Sequence, residues 1–186
     1  REKIRHAESE VVKRFSEHIF AYDQETLEGL VAGLLISKKA TLALAESCTG
    51  GLISDRLTNV PGSSAFFERG LITYSNRSKE ELLGVSPEVI RQHGAGSEKT
   101  AILMAEGERK LGKTDLGLSV TGIAGPDGGT EEKPVGTVFI ALTDGEKTYC
   151  RHYSLSWERR RIKVLASQLA LMMLKKYLTD GPDRGQ

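Results

Sequence analysis

The chain is poor in the residues on which several protein classes depend. Cys48 and Cys150 are the only two cysteines in 186 residues, too few for a disulfide framework and without metal-ligand spacing. The four histidines, His6, His18, His93 and His152, form no HxH or HxxxH pair, so neither a bound metal nor a metal cofactor is expected. No sign of charge prevails: 26 Lys and Arg stand against 25 Asp and Glu, a formal net charge of +1. A dedicated nucleic-acid binder carries a clear basic excess, so that class is set aside. No apolar run approaches the roughly 18 residues needed to cross a bilayer, and no charged-then-apolar leader opens the chain. A soluble cytoplasmic protein without a membrane partner is expected.

What is present is enough for one well-buried α/β domain, with 39% apolar residues. Residues 1–22 read as a charged amphipathic helix with Ile4, Val11, Val12, Phe15 and Ile19 on its apolar stripe. Arg1, rather than methionine, begins it, which reads as a piece of a longer protein. Residues 23–180 form the domain and 181–186 a frayed tail. Asp23 is a candidate cap for a helix with Leu27, Leu30, Val31, Leu34 and Leu35 at helical spacing. Later, VPGSS marks a turn and a short helix through Phe66 and Phe67 closed by Gly70. LITYS, 71–75, reads as a strand, 76–78 as a turn, and a helix follows through Leu83. Ser86, Pro87 and Gly94 bracket a short helix, and Ser97 opens a longer one carrying Ile102, Leu103, Ala105 and Leu111. Strands are expected over 115–121, 135–143 and 147–155, the last two joined at Asp144-Gly145. A final helix over 157–178 buries Ile162, Leu165, Ala166, Leu169, Met172 and Met173.

Two stretches carry chemistry. TLALAESCTGG, 41–51, reads as strand, tight turn and helix start, with Ser47 and Thr49 as natural N-caps. Gly50 and Gly51 admit a close-approaching group, and Glu46 ends the strand where open α/β sheets place ligands. The free N–H groups of such a turn suit a phosphate or an oxyanion equally. Cys48, at the expected helix start, is a nucleophile candidate ranked below its reading as a small buried neighbour. The second stretch, TGIAGPDGGTEEKP from Thr121, is long and rich in glycine and proline. Its Gly122 and Gly125 belong to a shaped backbone suited to phosphate or ribose. Arg159, Arg160 and Arg161 open the last helix at its positive dipole end, where a bound phosphate would balance them.

AESCTGG, GSSAFFERGLITYSN with a following lysine, HGAGSE and SVTGIAGPDGGTEEKPVGTV, in this order, resemble the C-terminal domain of the competence/damage-inducible protein CinA. The resemblance runs from about Leu27 to Leu178. It implies a three-layer α/β/α sandwich with a mixed, mainly parallel sheet, and a homodimer. Residues 1–22 then resemble the connector to an N-terminal domain that this sequence lacks. Members of the family include amidohydrolases that convert nicotinamide mononucleotide to nicotinate mononucleotide and ammonia. The resemblance assigns Ser47 as nucleophile, with Tyr74 and Lys79 as the proton-handling pair. Glu46, Thr49, Gly50, Gly51, Thr121, Gly122, Gly125, Arg159 and Arg161 fall around the small-molecule nucleotide. The family's GDR pattern is here Trp157, Glu158 and Arg159, and Lys163 replaces a later arginine. Serine activation by a neutral amine requires the pKa of Lys79 to be depressed, which burial favours. A rival reading is a nucleotide-binding regulatory module that does not turn over its ligand.

Overall fold

A computed structural model describes residues 1–15 and 25–181. The first helix, α1 (Glu2–Phe15), has no buried residue and exposes Ile4, Val11 and Phe15. Ile19 and Asp23 lie outside the described residues. The next helix, α2 (Leu27–Lys38), is capped by Thr26, whose side chain accepts the Gly29 N–H, so the capping role expected of Asp23 falls to Thr26.

Five strands follow: β1 (Leu42–Glu46), β2 (Phe67–Ile72), β3 (Leu116–Gly122), β4 (Thr137–Thr143) and β5 (Thr148–Ser154), in the sheet order β2-β1-β3-β4-β5. β1 pairs in parallel with β2 and β3, while β4 runs antiparallel to both β3 and β5, so four strands share one direction. The sheet is therefore mixed and mainly parallel in sense. The remaining helices are α3 (Leu52–Thr58), α4 (Asn76–Leu83), α5 (Pro87–His93), α6 (Glu98–Gly112) and α7 (Arg159–Asp180).

Strand alternation makes the two faces unequal. Leu42 and Leu44 of β1 and Leu116, Leu118 and Val120 of β3 point to one side, where they pack with α2, α3 and α7 in the main core. The other side presents Ala43 and Ala45, Gly117 and Ser119. Their smallness brings α6 close: a Cβ on Gly117 would sit 2.3 Å from the Ala105 carbonyl oxygen, and Ser119 Oγ donates to the Ala101 carbonyl at 2.6 Å. Helices α4 and α5 complete this thinner layer around Leu83, Val85, Ile90 and Met104. The α/β/α sandwich follows from this pattern of large and small side chains.

Several local expectations shift. The helical turn before β2 covers only Ser63–Ala65, and Phe67 already begins the strand. Gly70 lies inside β2 rather than ending a helix, because Ser54 of α3 crosses there and a Cβ would meet its Oγ at 2.3 Å. Thr73, Tyr74 and Ser75 follow the strand, and residues 76–78 are the first turn of α4, with Ser75 accepting the Ser78 N–H. On α6 the buried face is Thr100, Ala101, Met104, Ala105 and Glu108, while Leu111 is exposed. On α7 it is Ile162, Ala166, Ser167, Ala170, Leu171, Leu174 and Leu178. Leu165, Leu169, Met172 and Met173 flank that face, half-buried.

Candidate active site

The C-terminal ends of β1, β2 and β3 meet the N-termini of α3 and α4, the crevice where parallel strands leave ligand space. The same alternation that divides the core sends adjacent residues of β1 in opposite directions. Glu46 follows Leu42 and Leu44 toward α3. Ser47 follows Ala43 and Ala45 toward α4.

Glu46 is buried and its carboxylate accepts four hydrogen bonds. They come from the N–H groups of Gly51 and Ile53, both at 3.1 Å, from the Ser54 N–H at 2.8 Å and from the Ser54 hydroxyl at 2.7 Å. These take up the four lone-pair sites of a carboxylate. Glu46 is thus the cap of α3 rather than a ligand contact. It also replaces the capping expected of Ser47 and Thr49, since Gly51, the N-cap residue, adopts the left-handed conformation and has no side chain to offer. Gly50 donates its N–H to the Ser47 carbonyl at 3.1 Å. The N–H groups of Gly50 and Gly51, expected to bind an anion, are therefore engaged within the turn.

On the other side of the sheet, Lys79 is wholly buried. Its Nζ donates to Ser47 Oγ at 3.0 Å, to the Thr73 carbonyl at 2.6 Å and to the Tyr74 carbonyl at 3.3 Å. Burial lowers its pKa from 10.5 to about 8, because removing an ammonium from water disfavours the charged form. The carboxylate of Glu46, the residue before Ser47, is turned to the opposite face and occupied. Cys48 is buried as well, and loss of solvation pushes its thiol up to about 12. A protonated, buried thiol is a poor nucleophile, so Ser47 is the group that Lys79 addresses.

Two hydroxyls of the flanking segments, Thr49 Oγ1 and Thr73 Oγ1, are buried without a hydrogen-bond partner among the described residues. Thr49 belongs to the turn expected around the nucleotide, whereas nothing in the sequence distinguishes Thr73 from an ordinary β-branched residue. Tyr74 is over half exposed, and its hydroxyl accepts a hydrogen bond from Arg159 Nη2 at 2.8 Å. Arg159 Nη1 donates to the Gly125 carbonyl at 2.6 Å, so one guanidinium ties the segment after β2 to the long β3–β4 loop. Arg161 instead lies over the Trp157 ring, 4.0 Å from its centroid. The cation nearest the glycine turn is Lys163: a Cβ on Gly50 would be 3.4 Å from its Nζ. Lys163 lies one helical turn beyond Arg159 on α7, a spacing that places both on one face.

Thr121 and Gly122 are engaged inside the protein. Thr121 Oγ1 donates to the Ala95 carbonyl at 2.8 Å, pinning the loop between α5 and α6. A Cβ on Gly122 would meet the Thr137 carbonyl oxygen at 2.4 Å, so sheet packing requires the glycine. Gly125 holds φ +75°, with Val135 where a side chain would go. The loop is fastened again by Lys133, whose Nζ donates to the His93 carbonyl.

The model of the CinA C-terminal domain matches residues 24–178. The chain belongs to this family. A CinA-like protein of Syntrophus aciditrophicus is 64% identical over 179 residues, covering 96% of this chain and 43% of the relative. This CinA C-terminal domain thus spans less than half the length of that relative. Among solved structures, competence damage-inducible protein A from Klebsiella pneumoniae aligns with a TM-score of 0.79 and 32% identity, over 82% of this chain and 94% of that one. The competence/damage inducible protein CihA from Agrobacterium tumefaciens gives 0.75 and 36%, over 83% and 97%. Both share the mixed sheet flanked by helices.

Proposed function

We propose that this CinA C-terminal domain hydrolyses the carboxamide of nicotinamide mononucleotide to nicotinate mononucleotide and ammonia, with Ser47 as nucleophile and Lys79 as base. The observation that carries the reading is the buried Lys79 ammonium 3.0 Å from Ser47 Oγ, with two backbone carbonyls as its other hydrogen-bond partners among the described residues. A lysine buried without a compensating carboxylate is costly, and such groups concentrate at sites that move protons.

The geometry serves both protonation states. Neutral Lys79 has two N–H bonds, which the Thr73 and Tyr74 carbonyls accept, and its lone pair is left for the Ser47 O–H. After Ser47 Oγ has attacked the carboxamide carbon, Lys79 holds the proton as an ammonium with three donors for three acceptors. Collapse of the tetrahedral intermediate breaks the C–N bond, and the proton from Lys79 leaves with ammonia. Water then attacks the acyl ester, again giving a proton to Lys79. The ester C–O bond breaks, the proton on Lys79 returns to Ser47, and the acid departs, losing its own proton to solvent as the carboxylate. The unpartnered Thr49 hydroxyl lies two residues from the nucleophile, a suitable donor for the developing oxyanion.

Arg159 keeps Tyr74 at the mouth of the site instead of in the Ser47–Lys79 contact, which favours Lys79 over Tyr74 as first proton acceptor. Lys163 supplies the positive charge beside the glycine turn for the substrate phosphate. The deciding experiment is ammonia release from nicotinamide mononucleotide by the purified protein, with Ser47→Ala in parallel. Release lost in the variant, with its melting unchanged, is expected. Equal turnover by both proteins would remove Ser47 from the mechanism. Saturable binding without turnover would assign the domain to nucleotide sensing.

A further inference from the structure

Between residues 25 and 181, the large aromatic side chains that stand out as exposed are Tyr74 and Trp157, 58% and 51% accessible. Both are fixed by the first turns of α7. Arg159 donates to the Tyr74 hydroxyl, and Arg161 covers one face of Trp157. Trp157 is two residues from Arg159, which reaches across to both Tyr74 and Gly125. The two rings therefore belong to one rim.

Both braces come from a single turn, the first of α7. An exposed indole costs hydrophobic burial, and stacking a guanidinium on one face fixes the ring while leaving ring surface in solvent. Such a ring has lost the rotamer freedom that binding would otherwise have to remove, so it is prepared for a planar partner. Arginine charge beside it favours a partner that also carries phosphate. The inner turn, with Ser47 and Lys79, is buried. The rim lies outside it, where the part of a ligand remote from the reacting carboxamide would rest.

We infer that Trp157, braced by Arg161, is an outer stacking subsite for the base of a purine nucleotide, so that the domain binds ligands carrying a second planar base beyond the pyridine ring. The inference rests on the proposed pyridine-nucleotide reading for what fills the inner turn, but not for the stacking contact itself. Trp157 is the chain's single tryptophan, so its intrinsic fluorescence reports the subsite without a label.

The test titrates the intact protein with adenosine monophosphate and, separately, with ribose 5-phosphate, following fluorescence and confirming affinities by calorimetry. Adenosine monophosphate is expected to quench Trp157 saturably and to bind about tenfold or more tighter than ribose 5-phosphate, the scale of one base stacked on an aromatic ring. Trp157→Leu should bring the two affinities together, and Trp157→Phe should restore most of the difference. Equal affinities in the unaltered protein, or a preference that survives in Trp157→Leu, would overturn the subsite. Failure of the amidohydrolase reading has a separate signature, the absence of ammonia release from nicotinamide mononucleotide, and leaves the purine titration interpretable by itself.

Discussion

Replacing Lys79 with methionine tests the site through two pH dependences, one of stability and one of rate. In the folded protein the ammonium gives up its proton near pH 8, whereas in the unfolded chain it does so near 10.5. Below about pH 8 both states are protonated, and folding bears the full cost of burying the charge, roughly 3 kcal/mol for that difference in pKa. Between 8 and 10.5 the unfolded state binds the extra proton, so raising the pH stabilises the fold. Above 10.5 both states are neutral and the cost has gone. Lys79→Met removes this titration, so the unfolding free energy of the unaltered protein minus that of the variant should rise by about 2 to 3 kcal/mol from pH 7 to pH 10. Urea denaturation of the two proteins at several pH values measures it. The kinetic counterpart has the same origin. With a pKa of about 8, roughly one Lys79 in ten is neutral at pH 7, against roughly one in three thousand at 10.5. The kcat/KM for carboxamide hydrolysis should climb with unit slope to about pH 8 and then level. Lys79→Met should lower it by about 10²- to 10⁴-fold and remove that limb. A stability difference that is flat with pH, or a rate profile without a rise below pH 8, would refute the assignment of a depressed lysine as base.

Two further substitutions separate architecture from chemistry. Glu46→Gln exchanges one carboxylate oxygen for an NH₂ that faces N–H donors, and should destabilise the domain by about 2–3 kcal/mol in urea unfolding. A loss below about 0.5 kcal/mol would contradict the capping role. Arg159→Ala removes the bonds to Tyr74 and Gly125 from an exposed position. It should cost only about 1 kcal/mol of stability while raising deuterium uptake over residues 123–129. Unchanged uptake would mean the loop holds its shape without this tie.

Much of the frame was legible because it depends on local rules. Ser86, Pro87 and Gly94 bracket α5 as helix-end chemistry requires. Ser97 caps α6, and Asp144-Gly145 turns β4 into β5. Less legible were features created by elements far apart in sequence. Gly70 reads as a helix stop until Ser54 is seen to cross it. Glu46 reads as a ligand contact until α3 is seen to fold back onto its carboxylate. The Ser47–Lys79 contact spans 32 positions, and its identification came from resemblance, since no local spacing signals it. Its electrostatics were partly legible: a lysine near a helix start opposes the dipole, and burial does the rest. Arg161 and Lys163, two positions apart, take roughly opposite sides of α7, and what the sequence does not tell is which of those sides meets the glycine turn, because that is set by how the helix packs on the sheet.

The division of labour between Glu46 and Ser47 makes the length of β1 a matter of inheritance as well as packing. A deletion of Ala43 would leave every chemical group in the chain except one small side chain. It would nevertheless rotate the strand's end by one pleat, presenting the carboxylate to Lys79 and the hydroxyl to the start of α3. The lysine would then gain a salt-bridge partner, its proton would be held more tightly, and the serine would stand without a base. Descendants of such a chain could keep the whole AESCTGG motif, fold around it and still lack the reaction. In this fold, substitutions at β1 can be absorbed gradually, whereas a change in its count is lost or kept in a single step.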